Sequence, residues 1–179
     1  FYTGMGHTIE QYSDEKFLSH LSGGIKYALG LRQAVDYSKA YAELMPEENR
    51  FTKETYIQNL NEPMELDFLS DDEIIYVERR GGIHIYDLEK GKDSLIHTLD
   101  VFSGLEDGLL GLAVDPNYQE NNWIYLYYSE NKGQNNQNLS RFELKDRTLD
   151  LSSEKIVLQV ETQREECCHS GGSIEFGPD

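Results

Sequence analysis

The sequence predicts a mainly β chain, and three observations carry that expectation. From about residue 56 onward, short runs rich in β-branched and aromatic residues follow one another, separated by turn signals. Within them a strand-pair layout recurs. Ahead of them, residues 1–30 show a helical period instead. Together these predict a partial β-propeller, its first two blades and the start of a third, preceded by the last strand and helix of an α/β domain.

The elements follow in chain order. Residues 1–5 read as a strand and Gly6-His7-Thr8 as a turn. Ser13 suits a helix N-cap, with Asp14 and Glu15 in the first turn. Phe17, Leu18, Leu21, Ile25, Ala28 and Leu29 recur at helical spacing, and Gly30 stands where a helix terminates. Residues 31–55 read as a linker, partly helical over 37–44 before Pro46. Strands are expected over 64–69, 74–79, 83–88, 95–101, 110–114, 124–128, 139–144 and 156–160. Asp71-Asp72, Gly81-Gly82, Glu89-Lys90-Gly91-Lys92, Asp115-Pro116-Asn117 and Lys132-Gly133 supply turns between them. The Asn-rich stretch from Asn131 to Asn138 reads as a polar hairpin loop. Asn138-Leu139-Ser140 fits a glycosylation pattern there without further signal.

The repeat pairs Glu65-Leu66-Asp67-Phe68 and Ile74-Ile75-Tyr76-Val77 with Gly111-Leu112-Ala113-Val114 and Trp123-Ile124-Tyr125-Leu126. Ser173-Ile174-Glu175-Phe176-Gly177-Pro178-Asp179 looks like a third opening. Leu66, Leu112 and Ile174 stand 46 and 62 positions apart. Four strands per repeat at that period suit a propeller blade better than an immunoglobulin-like sandwich, and the unequal spacing requires insertions. Residue 1 is Phe and the last segment opens a strand without closing it, so the chain reads as an internal fragment of a longer protein. The missing secretory signal is then uninformative.

Charge narrows the partners. The chain has 16 Lys+Arg against 33 Asp+Glu, a formal charge of −17. Such a chain repels phosphate backbones, which makes nucleic acid a poor partner. No run of 18 apolar residues occurs, so no membrane span is expected.

The most specific stretch is Cys167-Cys168-His169-Ser170-Gly171-Gly172-Ser173-Ile174-Glu175-Phe176. It places an imidazole at the mouth of a strand, where it can face a ligand. Read together with Glu106-Asp107-Gly108-Leu109-Leu110-Gly111-Leu112 and Asn122-Trp123-Ile124-Tyr125-Leu126, it closely resembles the glucose/sorbosone dehydrogenase family over residues 56–179. Those proteins are six-bladed soluble quinoprotein sugar dehydrogenases. The resemblance implies pyrroloquinoline quinone and calcium as cofactors, a sugar substrate, an electron acceptor such as a cytochrome, and a periplasmic or secreted location. It also implies that His169 is the general base that takes the proton of the sugar's C1 hydroxyl. Imidazole suits that task because its ordinary pKa lies near neutrality. Calcium ligands and most cationic contacts to the quinone are expected in later blades.

Glu106, Asp107, Ser170 and Arg164 are the candidate substrate-binding residues. In well-known family members the position matching Glu106 is an amide that helps line the sugar site. The two acidic residues read equally as acceptors for sugar hydroxyls or as turn residues facing solvent. The adjacent Cys167 and Cys168 depart from the sugar-dehydrogenase prototypes. Their spacing excludes a c-type haem attachment, and they read as a strained disulfide or a packed thiol pair.

Residues 1–30 have a resemblance of their own. Phe1-Tyr2-Thr3-Gly4-Met5-Gly6-His7-Thr8, with the helix-forming run to Gly30, is similar to the end of a ThuA-like (trehalose-utilisation) domain, where His7 would line a pocket. The leading expectation is therefore a fragment of a quinone-dependent sugar dehydrogenase. The alternatives are a non-catalytic carbohydrate- or protein-binding propeller, and an activity residing in the ThuA-like domain with the propeller as scaffold.

Overall fold

The computed structural model describes residues 6, 8–31, 52–133, 135–166 and 168–177. The strand expected over 1–5, His7 and the helix expected over 37–44 lie outside them. The chain divides into two compact units, Phe1–Thr52 and Lys53–Asp179.

In the first unit a short 3-10 turn, Ile9–Ser13, leads into helix α1, Glu15–Ala28. The cap is Asp14, not Ser13: its carboxylate accepts the Phe17 N–H at 2.8 Å. At the other end Gly30 takes a left-handed φ of +69°. Its N–H bonds the Tyr27 carbonyl, and the Leu31 N–H bonds that of Lys26. Those two bonds are a Schellman motif, so Gly30 ends the helix as its position suggests. Phe17 is buried against the edge of the Tyr12 ring, with centroids 5.2 Å apart.

The second unit is all β apart from one helical turn. β1 (Pro63–Ser70), β2 (Glu73–Glu78), β3 (Gly82–Asp87) and β4 (Lys92–Thr98) form one antiparallel sheet in sequential order. β5 (Leu109–Val114), β6 (Trp123–Ser129), β7 (Asn136–Lys145) and β8 (Thr148–Glu161) form a second with the same layout. This is the mainly β, two-blade architecture the sequence predicts. A helical turn α2, Tyr118–Asn121, interrupts the β5–β6 connection.

The main departures from the expected boundaries fall in three strands. β4 ends at Thr98 rather than 101. β8 begins at Thr148, well before 156. Residues 136–138 belong to β7 rather than to a loop, and Asn136, Gln137 and Asn138 are all buried.

The sheets share one core. Ile75, Val77, Ile83 and Ile85 from the first meet Leu109, Leu112, Ile124, Leu126, Phe142 and Leu144 from the second. Each such side chain contributes about 2 kcal/mol by leaving water. β1 reverses the usual alternation. Glu65, Asp67 and Leu69 turn inward, while Leu66 and Phe68 are 59% and 55% exposed, so Leu66 is not a core anchor within this chain.

The β7–β8 turn ties the sheets at their far end. Asp146 and Arg147 both have positive φ, 49° and 58°, a two-residue hairpin turn without glycine. The guanidinium of Arg147 reaches Glu73 and lies 2.9 Å from Asp87 of the first sheet. Asp87 is buried and also accepts from the Lys90 ammonium at 2.7 Å and the Lys90 N–H at 2.9 Å. The Lys90 hydrogen bonds, then Arg147, hold its carboxyl at about 2. A folded pKa below the ordinary value of about 3.9 stabilises the fold above that value and loses the contribution as pH falls toward 2. Asp87→Asn is expected to lower stability at neutral pH and to flatten its decline between pH 4 and 2, as followed by thermal melts across that range.

Candidate functional site

The loop between the two sheets is built first. Arg79, just after β2, donates from Nη1 to the carbonyls of Ser103 at 2.9 Å and Asp107 at 2.7 Å. It also pairs with Glu62 at 2.9 Å. The Arg79 carbonyl in turn accepts the Leu109 N–H at 2.8 Å. One residue just beyond β2 thus fixes both ends of the turn that carries Glu106 and Asp107.

Onto this turn comes the segment that follows β8. A Glu106 carboxylate oxygen accepts the His169 N–H at 2.5 Å and the Ser170 N–H at 3.4 Å. The Ser170 hydroxyl donates to Asp107 at 2.8 Å. Asp107, 5% exposed, also accepts from the Gln137 amide at 3.2 Å and lies 3.2 Å from Nε of Arg164. That last contact is ionic rather than a well-aligned hydrogen bond, since Arg164 Nε has no hydrogen-bond partner. Arg164 further donates to the Glu130 carbonyl at 2.7 Å and stacks 4.0 Å over the Phe102 ring.

The five candidate residues therefore gather in one place. Glu106 holds backbone, Asp107 is a buried hub, Ser170 and Arg164 bind that hub, and His169 is exposed at the rim. His169 itself has φ of +85°, a left-handed backbone uncommon for a residue with a Cβ. Two members escaped the sequence reading. Gln137 lay in the supposed loop, and Tyr127, which donates to Gln137 at 2.7 Å, was one aromatic among many. Burial, then the charge of Asp107, pushes the Tyr127 hydroxyl pKa up. Cys168 is disulfide-bonded and exposed, and Cys167 lies outside the described residues.

Beyond the turn the chain runs over β5 with no room for side chains at two points. A Cβ on Gly111 would overlap the Gly172 carbonyl, and one on Gly172 would overlap Tyr127 and crowd Leu110. Gly171 faces open space. Further on, Ser173 donates to Glu65 at 2.6 Å, and Phe176 packs edge-on against Tyr125 at 5.3 Å.

A sequence profile described as glucose/sorbosone dehydrogenase matches residues 60–179. The chain belongs to the glucose/sorbosone dehydrogenase family. Among solved structures it is similar to an oxidoreductase (glucose dehydrogenase) from Thermus thermophilus, with a TM-score of 0.63 and 30% identity over 70% of this chain and 37% of that one. It also shares its fold with the PQQ-bound aldose sugar dehydrogenase of Streptomyces coelicolor, at TM-score 0.53 and 21% identity over 60% and 33% of the respective chains. It spans about a third of the length of these dehydrogenases. Its two sheets are two blades of the family's propeller.

Among the described residues no group of three or more His, Cys, Asp or Glu could hold a metal ion. Arg164, a cation beside the His169 turn, is engaged by Asp107. These residues do not make a seat for calcium or for the carboxylates of a quinone. No helix among the described residues is long and apolar enough to cross a membrane.

Gly111→Ala and Gly172→Ala should each destabilise the protein by about 2–3 kcal/mol through overpacking. Gly171→Ala should stay within about 0.5 kcal/mol. Denaturant unfolding of the three variants checks the contrast.

Proposed function

We propose that this chain is part of a quinone-dependent sugar dehydrogenase in which His169 is the general base. The observation that carries the reading is the 169–172 turn. An imidazole-bearing residue is held at the exposed rim in a left-handed conformation by Glu106, and the glycine behind it is packed onto β5. Strained backbone persists only where its surroundings over-determine it, and it concentrates at functional sites. Family membership supplies the reaction class.

Pyrroloquinoline quinone, when bound, supplies the hydride acceptor. The part played by this chain concerns the proton. As the hydrogen on C1 of an aldose departs with its electron pair, the C1 hydroxyl proton passes to the His169 imidazole and the C1–O bond becomes a carbonyl. The Glu106 carboxylate and the Asp107–Ser170 bond hold the turn still while this happens. Contacts to calcium and to the quinone carboxylates belong, on this reading, to the two thirds of the fold that the chain does not span.

We place the protein in the periplasm or outside the cell. The family resemblance and the disulfide at Cys168, a bond that persists in oxidising compartments, support this. Residues 1–30 we read as the end of a ThuA-like unit, supported by helix α1 and its Gly30 cap.

In the full-length protein, His169→Ala should reduce sugar oxidation by about 10²–10⁴-fold. Quinone uptake, followed by absorbance in the presence of calcium, should remain near the wild-type level. A variant that oxidises sugar as fast as wild type removes His169 from the mechanism. A wild-type protein that binds sugar but oxidises none, with quinone and calcium supplied, is instead a carbohydrate-binding propeller.

A further inference from the structure

We propose that Glu106 is a positioning residue that holds His169 through its backbone; this rests on the reading of His169 as the base. Two successive N–H groups, those of His169 and Ser170, converge on one Glu106 carboxylate oxygen at 2.5 and 3.4 Å. Consecutive amides point at a common centre where the backbone between them turns, and the concavity they form attracts an anion. The φ of +85° at His169 provides that backbone. The left-handed turn and the carboxylate therefore fit each other. Without the anion, the two exposed amides are left to water. Without the turn, Glu106 has a single amide to bind.

The second half of the clamp is independent of the first. The Ser170 hydroxyl is bound by Asp107, which is itself immobilised by Gln137 and Arg164. Asp107 thus anchors the turn to the body of the second sheet, and Glu106 sets the backbone angle at His169. A carboxylate with this task acts on catalysis through the imidazole it positions. Glutamine at 106 offers a carbonyl oxygen to the same two amides, whereas alanine offers nothing.

The experiment uses the full-length protein with Glu106→Ala, Glu106→Gln, His169→Ala and the double variant E106A/H169A. Two readouts are taken: amide hydrogen exchange over residues 168–171 and steady-state kinetics with an aldose. Glu106→Ala should speed exchange at the His169 and Ser170 amides by about tenfold or more, and Glu106→Gln should not. In kinetics Glu106→Ala should lower kcat by about 10- to 100-fold with KM nearly unchanged, and Glu106→Gln should restore most of it. Adding Glu106→Ala to His169→Ala should lower turnover no further, because the two act as one unit.

Unchanged exchange in Glu106→Ala overturns the proposal. So does a raised KM with kcat kept, which is the signature of a lost sugar contact, and so does an additive loss in the double variant. Wild-type turnover by His169→Ala defeats the general-base reading alone, and the exchange result still decides whether Glu106 sets the turn.

Discussion

The open edge of strand β5 governs the second unit. β5 borders its sheet, and the N–H groups of Leu112 and Val114 point away from β6. Unpaired edge amides invite another strand. Here two carboxylates of β1 take that place: Glu65 accepts from Leu112 at 3.3 Å and Asp67 from Val114 at 2.7 Å. Bonds to an ionised acceptor are stronger than a neutral ladder bond, so short side chains suffice to join two sheets. The same strand also receives the segment after His169, with Gly172 against Gly111 and Ser173 on the far oxygen of Glu65. First sheet, second sheet and His169 segment are all registered on this one short strand.

This arrangement explains why the acidic residues sit where they do. Glu65, Asp67, Glu106 and Asp107 each serve a backbone or side-chain donor across a junction between segments distant in sequence. The large negative charge of the chain is therefore partly architectural. The site inherits its order from it. Arg79 fixes the turn, the turn's two carboxylates fix residues 169 and 170, and the glycines behind them leave no slack.

Much of this was legible in the sequence. Runs of β-branched and aromatic residues gave the eight strands of the two sheets, whereas the strand expected to open at Ser173 is chain outside any ladder among the described residues; Gly81 and Gly91 marked turns at positive φ, and Gly30 marked the end of α1. The acidic-Gly-Leu-Leu-Gly and His-Ser-Gly-Gly segments were singled out separately and meet through Glu106, Asp107 and Ser170. What escaped depends on distant partners. The Asp146-Arg147 turn carries no glycine because Arg147 is held by Glu73 and Asp87, 74 and 60 positions away. Asn136, Gln137 and Asn138 look like loop residues, yet they are buried strand, with Gln137 bound to Asp107 and Asn138 to Gln159. Glu65 and Asp67 alternate with apolar residues as a solvent-facing pair would, and only the open edge of β5 turns them inward. Asp14 rather than Ser13 caps α1, a difference of one residue that composition does not resolve.

The most direct measurement is a crystal structure of the full-length protein with quinone, calcium and an aldose bound. An imidazole nitrogen of His169 is expected within hydrogen-bond reach of the sugar's C1 hydroxyl, about 2.6–3.2 Å. A sugar bound elsewhere, or a His169 ring turned away from it with the turn at residues 169–170 unchanged, would contradict it.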